Sequence, residues 1–207
     1  MKVSIAISFV INIFIVYFEL LTLSKVKRKR EIFKYYTYLQ NFLTLIVSIV
    51  FCVFSFAYLA FNKDIPEFIR GLRYIVTCGL VATTLIYAVF LSSNKNNKIT
   101  ENDFDSSISP KKANLILHYI CPLLSVISFV GFERSVVLEE GIWTILVAIP
   151  SIVYWVIYAI LSSLKLWKEP YDLSFGKNNK LLNIFVVVLI PISFILITFI
   201  LWIVKLE

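Results

Sequence analysis

The sequence predicts an all-α polytopic membrane protein, a six-transmembrane-helix bundle forming one integral membrane domain over residues 1–207. Three observations predict it. The chain is 59% hydrophobic and only 16% charged, with a mean hydropathy of +0.86, which is not the composition of a soluble domain. Apolar stretches recur at a length of about 20 residues, enough at 1.5 Å per helical residue to cross a hydrocarbon core roughly 30 Å thick. The connections between these stretches are short and leave no room for a soluble domain.

The spans are predicted at Val3–Leu23, Tyr35–Phe61, Leu72–Leu91, Ala113–Phe132, Ile142–Leu164 and Leu181–Val204. The first is read as a retained helix. Its apolar run exceeds a signal-peptide core, no small-x-small cleavage site follows, and a basic block comes straight after. Ser4, Ser8, Asn12 and Glu19 fall on one helical face, which should point into the bundle. Glu19 stands close to the end of that span. The plain reading has it snorkelling to the interface or pairing with Lys25–Arg30, and the alternative gives it a part in orienting a site.

The second span opens with Tyr35-Tyr36-Thr37-Tyr38-Leu39-Gln40-Asn41. Thr37, Gln40, Asn41 and Thr44 follow helical spacing and form one polar stripe at the head of an apolar helix. Such side chains often only bond helices together, at about 0.6 kcal/mol each. Asn62–Gly71 reads as an outward turn. The third span carries Tyr74, Thr77, Thr84 and Tyr87 on one face, and Ser92–Lys112 reads as a flexible polar loop.

The fourth span holds the only histidine. Asn114, His118, Cys121 or Pro122, Ser125 and Ser128 make a further helical stripe. Pro122 removes the hydrogen bond to the His118 carbonyl and should kink the helix there. The fifth and sixth spans contain Pro150 and Pro191, with Tyr154, Tyr158 and Ser162 along one side of the fifth. Trp143, Trp167 and Trp202 lie near interfaces, as an aromatic belt would place them. Cys52, Cys78 and Cys121 fall inside spans and suggest neither a disulfide framework nor a metal spacing. No metal or organic cofactor is implied.

The net charge of +7 does not point to nucleic acid, because of where it sits. Fourteen of the 20 Lys and Arg residues lie in the first, third and fifth connections. The other side has Lys2, Lys63, Arg70, Arg73, Arg134 and Lys205. The positive-inside rule then puts those three connections in the cytoplasm and both termini outside, with the basic block near anionic lipid.

Thr37, His118 and Glu19 therefore share the cytoplasmic end of the bundle. A threonine hydroxyl becomes a useful nucleophile when a neighbouring base takes its proton, and imidazole is suited to that near neutral pH. Gln40, Asn41 or backbone amides could donate hydrogen bonds to an ester oxyanion. The alternative is that His118 and the stripes are interhelical glue in a non-enzymatic carrier or interaction protein.

Tyr36-Thr37-Tyr38-Leu39-Gln40-Asn41, Arg70-Gly71 with Val76-Thr77, Leu117-His118-Tyr119-Ile120-Cys121-Pro122, Pro150 with Tyr154, and Tyr171 with Phe175 occur in order along the chain. In that order the sequence resembles the bacterial six-helix relatives of the androgen-induced and androgen-dependent membrane hydrolases. The resemblance runs from the second span to the start of the sixth. It implies a multi-span threonine hydrolase whose animal members cleave fatty acid esters of hydroxy fatty acids, with Thr37 as nucleophile and His118 as base. The chain departs from the bacterial pattern at Gln40, where a serine often stands. It departs again at Tyr171-Asp172-Leu173-Ser174-Phe175-Gly176, in place of a Tyr-Pro-Tyr-x-Phe run ending in aspartate. The partners implied are a lipid or fatty-acyl ester and the bilayer.

Overall fold

The structure, a computed structural model, describes residues 2–26, 35–88, 107–133, 142–164, 166, 195–201 and 203. Every regular element among them is helical: α1 Lys2–Leu23, α2 Tyr36–Phe61, α3 Glu67–Ile86, α4 Pro110–Phe132, α5 Ile142–Leu146, α6 Ala148–Ser163 and α7 over 195–201. The helices α1 to α4 have 22, 26, 20 and 23 residues and are long and apolar enough to cross a membrane. Their outer faces are apolar, with Val10, Phe14 and Tyr17 on α1, Val53 and Phe56 on α2, and Leu123 and Ile127 on α4 all exposed. The polar side chains turn inward instead, the arrangement that lipid as solvent requires.

Two helix starts differ from expectation. α3 begins at Glu67, not Leu72, because Pro66 takes the N-cap position and Glu67 sits in the first turn, where its charge suits the positive helix end. The turn between α2 and α3 is thus confined to residues 62–66. Asn62 closes α2 in the left-handed region at φ 55°, with its N–H returned to the Ala57 and Tyr58 carbonyls. α4 begins at Pro110, capped by the Ser109 hydroxyl, which accepts from the Lys112 N–H. The last residues expected in the polar loop are therefore helical.

The count of six continuous spans is reproduced only in its first four members. The fifth is divided at Val147 into α5 and α6. Pro150 has no N–H to offer the Leu146 carbonyl, so the ladder is interrupted there. Of the sixth, 181–194 lie outside the described residues, as do Trp167, Tyr171, Phe175 and Trp202.

The four long helices stand at the corners of a square. α1 packs along α2 and α4, and α3 packs along the same two. α2 and α4 therefore occupy opposite corners. A second layer covers α3: Val147, Tyr154, Ile197 and Leu201 pack on Tyr74, Ile75, Cys78 and Ala82. The Tyr74 hydroxyl donates to the Thr198 carbonyl at 2.6 Å. Trp143 lies against Gly71, where a Cβ would strike its ring, and its Nε1 donates to Glu67 at 3.2 Å.

Candidate functional site

The polar interior forms two layers, one toward each end of the four-helix square. The layer expected to carry chemistry lies where α1 ends and where α2 and α4 begin. Helical spacing buries Glu19 on α1, Thr37, Gln40, Asn41 and Thr44 on α2, and His118 on α4, with Asn114 half-buried. Glu19 faces Cys121. Cys121 in turn packs in one cluster with Leu117, Ala113, Tyr38 and Leu45, which sets the level at which the three helices meet.

Glu19 is fully buried, its carboxyl meets the Cys121 thiol, and neither oxygen has an N–H or O–H donor among the described residues. It does not snorkel, and it forms no ion pair with Lys25 or any other described residue. Asn41 donates from Nδ2 to the Thr37 carbonyl at 2.7 Å, leaving its Oδ1 buried without a donor. Asn114 Oδ1 is left the same way. The Thr37 hydroxyl makes no hydrogen bond among the described residues.

Gln40 is committed elsewhere. Its Nε2 donates to the Val76 carbonyl at 3.2 Å and its Oε1 accepts from the Tyr36 hydroxyl at 3.4 Å. Its amide lies on Gly79, where a Cβ would collide with it. Gln40 therefore clasps α2 to α3, with one amide proton left over. The Thr44 hydroxyl is turned back onto the Gln40 carbonyl at 2.9 Å.

His118 is 2% exposed and sits in a widened, π-helical turn over Ile116–Ile120. Pro122 cannot donate to the His118 carbonyl, and the Cys121 N–H bonds Ile116, five residues back. The expected disturbance at Pro122 thus takes the form of a π-turn. The imidazole stacks on the Tyr87 ring with centroids 3.8 Å apart and planes 16° off parallel, and its Nδ1 has no hydrogen-bond partner. Thr37 and His118 sit at opposite corners of the square, and no hydrogen bond joins them.

The second layer was not anticipated from the sequence. Arg73, expected among the charges outside the membrane, is fully buried about 9 Å along α3. Its guanidinium pairs with Glu133 at 3.1 Å, reaches Ser48 at 3.5 Å and lies over the Phe51 ring, 5.3 Å from its centroid. Glu133 Oε1 also accepts from Ser128 at 2.7 Å and from Ser8 at 3.1 Å, and Asn12 joins Ser128 at 2.9 Å. Ser4, Ser8 and Asn12 thus bind α1 to the end of α4. The available signal was Arg73 standing four residues before Thr77, on the polar face of its span.

Among the described residues, no group of three His, Cys, Asp or Glu side chains is placed to hold a metal. Compared with known proteins, the chain matches no family model, no curated protein and no solved structure.

Proposed function

We propose that the chain is an integral membrane hydrolase that cleaves a lipid ester with Thr37 as nucleophile and His118 as general base. The observation that carries this reading is the contrast between the two polar layers. Around Arg73 and Glu133 the charges compensate each other. Around His118, no described cation compensates Glu19, and the imidazole Nδ1 and the Asn41 and Asn114 oxygens have no hydrogen-bond partner among the described residues, although Asn12 Oδ1 and Arg73 Nε of the other layer share that lack. Buried polar groups kept unsatisfied are costly and call for a reason such as a ligand or catalysis. The resemblance to the androgen-induced and androgen-dependent hydrolases assigns Thr37 and His118 the same roles.

In this reading the Thr37 hydroxyl attacks the acyl carbon while His118 Nδ1 takes its proton. The tetrahedral oxyanion then collapses, the alcohol leaves with the proton from His118, and Thr37 holds the acyl group. Water, deprotonated by His118, attacks the acyl carbon, and the fatty acid departs as the Thr37 oxygen regains its proton. The remaining Gln40 amide proton and nearby backbone amides are the donors for the oxyanion. A nucleophile and base apart in the ligand-free state are compatible with this, since catalytic hydrogen bonds often tighten only with substrate. The bundle sits in a bacterial cell membrane, with its termini outside and the His118 end toward the cytoplasm.

The Gln40–Val76 bond favours the second reading, a non-enzymatic carrier or interaction protein whose stripes hold the bundle together. Labelling of the purified protein with a fluorophosphonate probe separates the two. Label that maps to Thr37 in wild type, persists in part in Thr37→Ser and is lost in Thr37→Ala and His118→Ala supports the hydrolase. A well-folded wild type that takes no label removes it in favour of the second reading.

A further inference from the structure

The π-turn that carries His118 ends at one residue. The Cys121 N–H bonds the Ile116 carbonyl, five residues back, and Pro122, next in the chain, has no N–H for the His118 carbonyl. Cys121 is fully buried in a cluster with Leu117, Ala113, Tyr38 and Leu45, and its thiol meets the Glu19 carboxyl of α1. α1 therefore grips α4 where the widened turn closes. His118 lies three residues before that point, with its imidazole laid on the Tyr87 ring.

A carboxyl is a costly means of holding two apolar helices together. A thiol is a weak donor, no described cation compensates Glu19, and an ionisable group at membrane depth has to be withdrawn from water. Elsewhere the bundle is joined by neutral pairs such as Thr77 and Ser125, 2.8 Å apart between α3 and α4, which bond helices without that penalty. Packing alone does not call for a carboxyl at residue 19.

From its contact with the residue that closes the His118 turn, we infer that Glu19 is a positioning residue for His118, acting through Cys121. The carboxyl fixes the Cys121 side chain, Cys121 fixes the π-turn, and the turn fixes the imidazole against Tyr87. The inference deepens the hydrolase reading and rests on it only for naming His118 the base. Placement of the ring can be read without any reaction.

His118 is the only histidine in the chain, so its ring can be observed alone. In micelles, protein labelled with 13C and 15N histidine and carrying a histidine-free affinity tag gives a single imidazole signal set. The ring current of the stacked tyrosine moves the His118 ring protons upfield, and Tyr87→Leu supplies the unstacked reference position. Glu19→Leu and Cys121→Ala are each expected to move these protons most of the way to that reference. The double variant Glu19→Leu/Cys121→Ala should move them no further than either single one, and Glu19→Gln, which keeps an accepting oxygen, should restore the wild-type position. Wild-type positions in folded Glu19→Leu or Cys121→Ala overturn the inference. Additive shifts in the double variant do the same, as does a Glu19→Gln signal matching that of Glu19→Leu, since neither is compatible with action through the thiol. If Glu19→Leu does not fold, Cys121→Ala, which leaves the carboxyl in place, decides alone. Fluorophosphonate labelling is scored separately and should slow about tenfold in Glu19→Leu and recover in Glu19→Gln. Wild type that takes no label while the ring follows Glu19 and Cys121 removes the hydrolase and leaves the positioning role; labelling at Thr37 with an unmoved ring does the reverse.

Discussion

The Arg73 guanidinium meets the Glu133 carboxylate at 3.1 Å with both side chains withdrawn from solvent. The two residues come from opposite ends of sequence-distant helices, and their partners Ser8 and Ser48 bring in α1 and α2. One contact thus ties all four corners of the bundle. Removing one member of a buried pair leaves the other charge uncompensated, at a cost of about 3–5 kcal/mol. Arg73→Ala and Glu133→Ala are each expected to lose that much in reversible unfolding from micelles. The double variant Arg73→Met/Glu133→Leu should lose clearly less than the sum of the two. Strict additivity in the double-variant cycle would show that the pair does not act as a unit.

Gln40 and Gly79 make a second test of packing. A methyl group at residue 79 would occupy the space of the Gln40 amide, and overpacking of this kind costs about 1–3 kcal/mol. Gly79→Ala should therefore destabilise the fold by that amount. Gln40→Ala/Gly79→Ala should recover most of the loss, since the new methyl then fills the vacated room. Measured by thermal unfolding, a double variant as weak as Gly79→Ala alone would refute the clasp.

What could be read from the sequence followed from lipid as solvent. In an apolar background the stripes Ser8-Asn12-Glu19 and Thr37-Gln40-Asn41-Thr44 cannot face hydrocarbon, so helical spacing alone places them inside, and there they are. The Arg73–Glu133 pair was hidden because Arg73 stands next to Leu72 and Glu133 next to Phe132, at the expected ends of two spans. Charges at such ends ordinarily reach the interface. Glu133 is instead folded back under Ser128 and Ser8. The destination of the Gln40 amide was equally hidden. Spacing shows that it points inward, but its partner is a backbone carbonyl at Val76 and its room is made by Gly79, both on another helix.

Orientation can be checked without reference to activity. Lys63 lies exposed in the turn between α2 and α3, and Ser107 lies exposed before α4, at the other end of the bundle. In a Cys52→Ala/Cys78→Ala/Cys121→Ala background, Lys63→Cys should react with a membrane-impermeant maleimide added to intact cells. Ser107→Cys should react only after permeabilisation. The reverse pattern would mean that the excess of basic residues in the first, third and fifth connections does not set the topology.

His118 is held in two ways that have opposite consequences for stability. The Tyr87 ring lies on one face of the imidazole at 3.8 Å, and the π-turn before Pro122 determines where along α4 the ring emerges. Tyr87→Leu removes the stacking contact, worth about 0.5–1.5 kcal/mol, and lets the ring turn. Pro122→Ala restores an N–H able to reach the His118 carbonyl. Proline within a helix costs about 3 kcal/mol, so this variant should be at least as stable as wild type. A straightened turn would nonetheless rotate His118 relative to Thr37, and misplacement by 1 Å can cost about 100-fold in rate. Both variants should therefore label at Thr37 at least tenfold more slowly with fluorophosphonate, one slightly less stable than wild type and the other not. If labelling rate instead follows stability across the two, His118 acts only by holding the helices together.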